Sequence, residues 1–179
     1  MAITGLDEKT ALVVVDTQKA MVGGTGEAGA EVVAHTAKLA TAFRAHGLPV
    51  IWIKATGMPQ HRTGFESPGE GLPEEMAQLA IEPEADDHVL EKFGTNAFLS
   101  GELGRLLEDN GVTGIVVTGI ATGVGVESTV RAGFDSGFNV TVAADATADF
   151  DGERKDFTLA RTIPVFAEVG TTEEIITAL

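Results

Sequence analysis

A short apolar run that passes directly into a glycine-rich turn constrains this chain more than any other feature. Residues 115–117 are Ile-Val-Val, and a β-branched run of this length predicts a buried strand. The turn over residues 119–125 contains three glycines and no charged side chain. A helical pattern then begins, with apolar residues spaced four apart at Val126, Val130 and Phe134. A strand, a tight turn and a helix N-terminus present several backbone N–H groups at one place, which suits an anion or a developing oxyanion.

Other strand-like and helix-like segments alternate along the rest of the chain. Patterns typical of buried strands lie at residues 11–15, 50–54, 88–91, 138–144 and 164–169. Helical patterns lie at residues 27–46, 74–80, 97–109 and 152–161, and a last helix is predicted to start with Thr172 as its cap. This alternation predicts one α/β domain over residues 1–179, a three-layer α-β-α arrangement around a mostly parallel six-stranded sheet.

Charged residues follow several of the predicted strands, where ligands of parallel sheets bind. Asp16 follows an apolar strand, so it is either a partly desolvated carboxyl suited to proton transfer or a cap of the next turn. Lys92 either stabilises negative charge or is an ordinary surface lysine. Asp145 is expected at the end of the fifth strand. Trp52 and Phe93 also lie near strand ends and either line a pocket or belong to the core.

Composition excludes several classes of function. The net charge of −15, from 12 basic and 27 acidic residues, argues against nucleic-acid binding. The absence of cysteine excludes a thiolate nucleophile, a disulfide and a cysteine-ligated metal. No apolar run approaches about 20 residues and the first residues do not resemble an export signal, so we expect a cytoplasmic protein without a membrane span. The proline- and glycine-rich residues 55–87 are interpreted as a substrate lid or an oligomer contact.

Three stretches together resemble the isochorismatase-like (cysteine) hydrolase superfamily over nearly the whole chain. They are ALVVVDTQ with Asp16 and Gln18, VLEKFGTNAF with Lys92, and TGIATGVGVESTVRAGFDSGFNVTVAADA. The resemblance implies a six-stranded parallel sheet, a small-molecule substrate and a homodimer or homotetramer. It also implies a cis peptide bond between Ile120 and Ala121. A smaller bacterial subgroup of unassigned function has the most similar turn.

The resemblance further implies the roles of individual residues. Asp16 and Lys92 match two members of the family's amidase triad, but Gly125 stands where the nucleophilic cysteine would be, so a covalent acyl-enzyme is excluded. The backbone N–H groups of Ala121 and Gly125 would point into the pocket. The amidase metal motif is not matched after Trp52, and we expect neither a metal nor another cofactor. The remaining candidates for contact with the substrate are Gln18, Trp52, Phe93 and Thr122.

Isochorismatases carry glycine at this position and hydrolyse an enol ether without a covalent intermediate. By that resemblance, Asp16 would protonate the vinyl carbon, while Lys92 would tune Asp16 and hold a substrate carboxylate. Two alternatives remain at this stage. The chain could be an inactive homologue that binds a small molecule, or an amidohydrolase in which the space at Gly125 admits an activated water.

Overall fold

A computed structural model describes residues 3–64 and 73–179, and its centre is a six-stranded sheet in the order β3-β2-β1-β4-β5-β6. The strands are β1 (Thr10–Val15), β2 (Val50–Gly57), β3 (His88–Phe93), β4 (Gly114–Ile120), β5 (Asn139–Ala148) and β6 (Glu168–Gly170). All neighbouring pairs are parallel. The predicted parallel sheet of six strands is therefore confirmed.

Helices cover both faces of this sheet. They are α1 (Lys19–Thr25), α2 (Glu27–Ala45), α3 (Glu74–Ala77), α4 (Glu102–Asp109), α5 (Glu127–Asp135), α6 (Gly152–Phe157) and α7 (Thr172–Ala178). Short π-helical turns lie at Thr122–Val126 and Thr158–Thr162, and a 3-10 turn lies at Ile163–Val165. None of the helices in the described ranges is long and apolar enough to cross a membrane.

The central strands are apolar throughout because both faces of the sheet are covered. Every residue of β1 is buried, and its side chains alternate between two clusters. Val13 and Val15 pack with Leu103 of α4 and Val130 of α5. On the other face, a second cluster joins Leu12 and Val14 to residues of α2 and α7, namely Leu39, Ala40, Phe43 and Ile175. The two clusters fill the spaces between the sheet and the helices on either face, which gives the three predicted layers.

The order of the strands places a switch point between β1 and β4. From β1 the chain continues to β2 and β3 on one side of the sheet, whereas β4, β5 and β6 extend on the other side. Connections at such a point diverge and leave a crevice beyond the carboxyl ends of the two strands. Asp16 follows β1 and the glycine-rich turn follows β4, so both lie at this crevice.

Several predicted element boundaries are wrong. Helix α4 begins at Glu102 rather than at residue 97, because Gly101 adopts a left-handed conformation and Leu99 before it is 66% exposed. The predicted sixth strand over residues 164–169 begins in a 3-10 turn (Ile163–Val165), and the strand β6 itself covers only Glu168–Gly170. Thr171 rather than Thr172 caps α7, through a capping box with Glu174.

The predicted irregular segment over residues 55–87 is only partly irregular. Strand β2 extends to Gly57, α3 lies within the segment, and Leu79 forms an isolated bridge with Gln18. Residues 65–72 lie outside the described residues. The interpretation of this segment as a lid or an oligomer contact therefore stays a prediction.

Candidate active site

Asp16 and Lys92 form an ion pair at the carboxyl ends of β1 and β3. The Lys92 Nζ lies 2.9 Å from Asp16 Oδ2, although strand β2 separates the two strands in the sheet. Asp16 has a φ of 52°, an uncommon left-handed conformation for a residue other than glycine. The side chains are 7% and 2% exposed, so the pair lies almost entirely away from bulk water.

The two oxygens of the Asp16 carboxyl have different surroundings. Oδ2 accepts from Lys92, whereas Oδ1 is buried and has no hydrogen-bond partner among the described residues. Burial raises the pKa of Asp16 to about 6, against the opposing effect of the Lys92 ammonium. A carboxyl with this pKa is protonated in about half of the molecules at pH 6 and in about a tenth at pH 7, and it can donate that proton.

Lys92 has no N–H group left for a substrate. Its ammonium donates to the Gly94 carbonyl at 2.8 Å and to the Thr95 carbonyl at 3.1 Å, in addition to Asp16. Because an ammonium has three N–H donors, these contacts saturate it. The expectation that Lys92 holds a substrate carboxylate is therefore wrong for this conformation, and Lys92 instead orients Asp16.

The glycine-rich turn approaches the Asp16 carboxyl closely. The peptide bond between Ile120 and Ala121 is cis, the configuration that the resemblance implies. A Cβ atom on Gly125 would lie 3.1 Å from Asp16 Oδ2 and 3.3 Å from the Val15 side chain. The position at which the resemblance would place a cysteine therefore directly adjoins the carboxyl group, and the three sequence stretches meet at one site.

Close packing of β1 and β4 requires a glycine at the start of this turn. Gly119 has a φ of 122°, and a Cβ atom there would lie 1.9 Å from the Val15 carbonyl oxygen. Any other residue would push the turn away from the end of β1. The Ala121 carbonyl accepts from the N–H groups of Val124 and Val126, which begins the π-helical turn.

Two of the predicted substrate-contacting residues have structural roles instead. The ring of Trp52 is fully buried in the cluster beneath α2, and its Nε1 donates to Asp87 Oδ2 at 2.7 Å. The Gln18 amide donates to the carbonyls of Ala55 and Ala77 and accepts from Ala55 N–H. Gln18 thus joins the end of β2 to α3, and its polar atoms are already occupied.

The other two candidates, Phe93 and Thr122, differ in their exposure. Phe93 ends β3 and is 57% exposed beside Gly57. Thr122 is fully buried, and its hydroxyl has no hydrogen-bond partner within the described ranges. The roles of Phe93 and Thr122 as pocket residues, and of the Ala121 and Gly125 N–H groups as oxyanion donors, stay predictions.

Sequence reasoning missed Asp149, which contacts the turn from the next strand. Asp149 Oδ2 accepts from the Gly123 N–H at 2.8 Å, and the carboxylate also binds Arg154. The predicted Asp145 instead lies within β5, and its Oδ1 accepts from the Thr172 N–H and hydroxyl. Strand β5 is longer than predicted because extra residues interrupt its register with β4. The sequence did contain a signal for this contact, namely a second aspartate, Asp149, directly after the small residues 146–148.

A wide groove of about 700 Å³ lies at the opposite end of the sheet. Its walls include Asp7, the first residues of β5 and Glu168 at the start of β6. Asp7 accepts from the Asn139 amide, and Glu168 accepts from the N–H and hydroxyl of Thr4. Its two carboxylates are thus already engaged by neighbouring groups, so Asp16 and Lys92 remain the stronger candidates for chemistry.

Within residues 3–64 and 73–179, no cluster of three His, Asp or Glu side chains could hold a metal ion.

Comparisons with known proteins identify relatives over nearly the whole chain. A profile described as the isochorismatase domain matches residues 10–174. YecD of Escherichia coli O157:H7, named an uncharacterized isochorismatase family protein, is 34% identical over 95% of this chain and 96% of its own. A ureidoacrylate amidohydrolase, RutB of Methylobacterium radiotolerans, is 34% identical over 77% of this chain and 66% of its own. The structure of an isochorismatase family protein from Burkholderia thailandensis matches with a TM-score of 0.93 and 33% identity over 99% of both chains.

Proposed function

Because the chain belongs to the isochorismatase family of hydrolases, we propose that it hydrolyses an enol-ether bond in a small molecule without a covalent intermediate. One observation carries this proposal. Asp16 is a buried carboxyl whose pKa is raised to about 6, with Oδ2 fixed by Lys92 and Oδ1 unpartnered among the described residues. Such a group is a proton donor, and Gly125 beside it offers no nucleophile.

The reaction follows from the asymmetry of the carboxyl group. Protonated Asp16 transfers its proton to the terminal vinyl carbon of the substrate, which becomes a methyl group and leaves an oxocarbenium ion. Water adds to this cation and returns a proton to the Asp16 carboxylate. The resulting hemiketal breaks its bond to the alcohol oxygen, so that a ketone and an alcohol leave. Because Oδ2 already accepts from Lys92, Oδ1 is the oxygen that carries the proton.

Lys92 assists by fixing the carboxyl group and limiting its pKa. Burial alone favours the neutral acid, and the adjacent ammonium moderates this effect. After proton transfer, the same ammonium stabilises the carboxylate that has formed. Lys92 is thus a partner of Asp16 in both protonation states.

Release of pyruvate from isochorismate tests the proposal, with Asp16→Asn as the variant. General acid catalysis contributes about 10²–10⁴ in rate, and we expect a loss of this size while circular dichroism and thermal unfolding show a folded protein. Unchanged turnover in Asp16→Asn would contradict the role of Asp16. Absence of turnover in the natural sequence, together with stabilisation by the same compound, would favour a binding protein instead.

A second candidate is amide hydrolysis by an activated water, since Gly125 offers no side-chain nucleophile beside the Asp16 carboxyl. The similarity to a protein named ureidoacrylate amidohydrolase supports the same class of substrate. In this case Asp16 acts as a base, and release of ammonia from a panel of amides is the measurement.

The pH dependence separates the two candidates. A proton donor must be protonated, so kcat/KM for an enol ether falls tenfold per pH unit above about pH 6. A base must be ionised, so kcat/KM for an amide rises to a plateau through the same range. The Asp16→Asn variant abolishes either limb.

A further inference from the structure

Asp149 contacts the glycine-rich turn because β4 and β5 end side by side. Ile120 and Ala148 are partners in the parallel pairing of the two strands, so the residues after them leave the sheet together. The Asp149 side chain is fully buried, and its Oδ2 accepts from the Gly123 N–H at 2.8 Å. This contact joins β5 to the middle of the turn that holds Gly125.

Arg154, which lies on helix α6, donates hydrogen bonds to the Asp149 carboxylate. Its Nε lies 3.0 Å from Asp149 Oδ1, and its Nη2 contacts the same oxygen. Asp151 caps α6 by accepting from the N–H groups of Glu153 and Arg154, which fixes the backbone from which the Arg154 side chain extends. A guanidinium that donates two N–H groups to one carboxylate constrains its direction more than a single contact does.

The stem of Arg154 also covers Gly123. A Cβ atom on Gly123 would lie 2.6 Å from Arg154 Cγ and 3.0 Å from the Thr158 hydroxyl. The turn is therefore enclosed between Asp16 on the Gly125 side and Arg154 on the Gly123 side. Burial alone would raise the pKa of Asp149, but hydrogen bonds from Arg154 and the Gly123 and Asp151 N–H groups lower it, and the carboxylate stays ionised.

We propose that Asp149 and Arg154 are positioning residues for the reaction, which hold the turn at Gly123 and thereby set the approach of Gly125 to the Asp16 carboxyl. They act through the turn rather than on the substrate. A displacement of about 1 Å at a reacting centre costs up to about a hundredfold in rate, so loss of this contact lowers kcat more than it changes KM. The inference rests on the proposed function only where turnover is the readout.

The first experiment compares Asp149→Asn with Asp87→Asn. Both aspartates have buried side chains that pair with an arginine, but Asp87 binds Arg44 and Trp52 far from the turn along the chain. We expect kcat of Asp149→Asn to fall at least about tenfold with KM changed less than about threefold. The control keeps kcat per folded molecule. Equal kcat values in the two variants would overturn the inference.

Arg154 provides a milder pair of variants if Asp149→Asn does not fold. Arg154→Lys keeps the positive charge but loses the planar fork, whereas Arg154→Ala loses both. A positioning role predicts that kcat falls in both variants and that the lysine recovers part of the loss. A role in stability alone predicts lower melting temperatures with kcat per folded molecule unchanged.

Nuclear magnetic resonance tests the same inference without a substrate. We expect Asp149→Asn to move the amide signal of Gly125 and the titration midpoint of the Asp16 carboxyl, while Asp87→Asn moves neither. If the natural sequence releases no pyruvate, the proposed function fails but these spectra still decide the positioning role. An unchanged Gly125 signal and Asp16 midpoint in Asp149→Asn would reject that role.

Discussion

Two buried aspartates, each beside a basic side chain, behave in opposite ways in this protein. Asp16 accepts one ion-pair contact from Lys92, and its other oxygen has no partner within the described ranges. Asp87 accepts from two nitrogen atoms of Arg44, from the Trp52 indole and from the Glu84 N–H. Both side chains are less than one-tenth exposed, so burial alone does not distinguish them.

The number of donors determines the pKa of each carboxyl. Burial raises the pKa of both groups, and at Asp16 one ammonium offsets this only in part, leaving a value of about 6. At Asp87 the hydrogen bonds from Arg44, Trp52 and Glu84 outweigh burial and hold the pKa below its usual value. A saturated carboxylate stabilises the fold, whereas one with a free oxygen is available for proton transfer.

The largest expected effect of a substitution on stability lies at Asp87. Asp87→Ala removes the acceptor of Arg44 Nε and Nη2 and of the Trp52 N–H, while Arg44 Nη1 keeps its contact with Glu84. We expect the free energy of unfolding to fall by roughly 3–5 kcal/mol. Denaturant titration measures this loss. Turnover per folded molecule should stay within about twofold of the natural sequence, and a large drop in kcat would connect Asp87 to the chemistry.

The pH dependence of stability should have opposite signs at the two sites. The folded pKa of Asp16 exceeds the ordinary value of 3.8, so the native state binds more protons between pH 4 and 6 and its stability falls as pH rises. The shift corresponds to about 3 kcal/mol, lost between about pH 4 and 6. Asp87 stabilises above its unfolded pKa and loses this contribution as pH falls through its lowered folded pKa.

A comparison of two proteins across pH isolates the contribution of Asp16. We expect the unfolding free energy of the natural sequence, minus that of Asp16→Asn, to decline from pH 4 to 7 and then to level off. The same difference taken with Asp87→Asn should instead rise with pH at the acidic end. A flat difference for Asp16→Asn would mean that its folded pKa is ordinary.

The smallest of these effects is a shift in the pH dependence of kcat/KM in the Lys92→Met variant. This change removes the ammonium that lowers the pKa of Asp16, so the pKa should rise by roughly one unit or more. For an enol-ether substrate, the descending limb of kcat/KM then moves to higher pH. A limb that stays in place would indicate that Lys92 does not govern the ionisation of Asp16.

Sequence patterns predicted the sheet because its strands are continuous apolar runs that lie between segments with helical periodicity. They also pointed to Asp16, Lys92 and Gly125, which the structure brings together, because strand ends of a parallel sheet share one edge. The partners of side chains were not predictable in this way. The saturation of Lys92 by two carbonyls depends on how the chain turns after β3.

The contact of Asp149 with Gly123 was missed for a related reason. Extra residues within β5 move its end to Ala148, and a single strand pattern does not reveal such an irregularity in register. Gln18 was misinterpreted because a polar residue after an apolar strand has the same sequence pattern whether it contacts a ligand or the backbone of a neighbouring segment. In both cases tertiary partners, which local periodicity does not encode, decide the role.

The most direct test of the central claim is a carbon-13 titration of the Asp16 and Asp87 carboxyl groups in one sample. The account predicts that Asp16 titrates near pH 6 and that Asp87 titrates below 3.8. A midpoint for Asp16 at or below 3.8 would contradict it, because the carboxyl would then be a second saturated structural carboxylate rather than a proton donor.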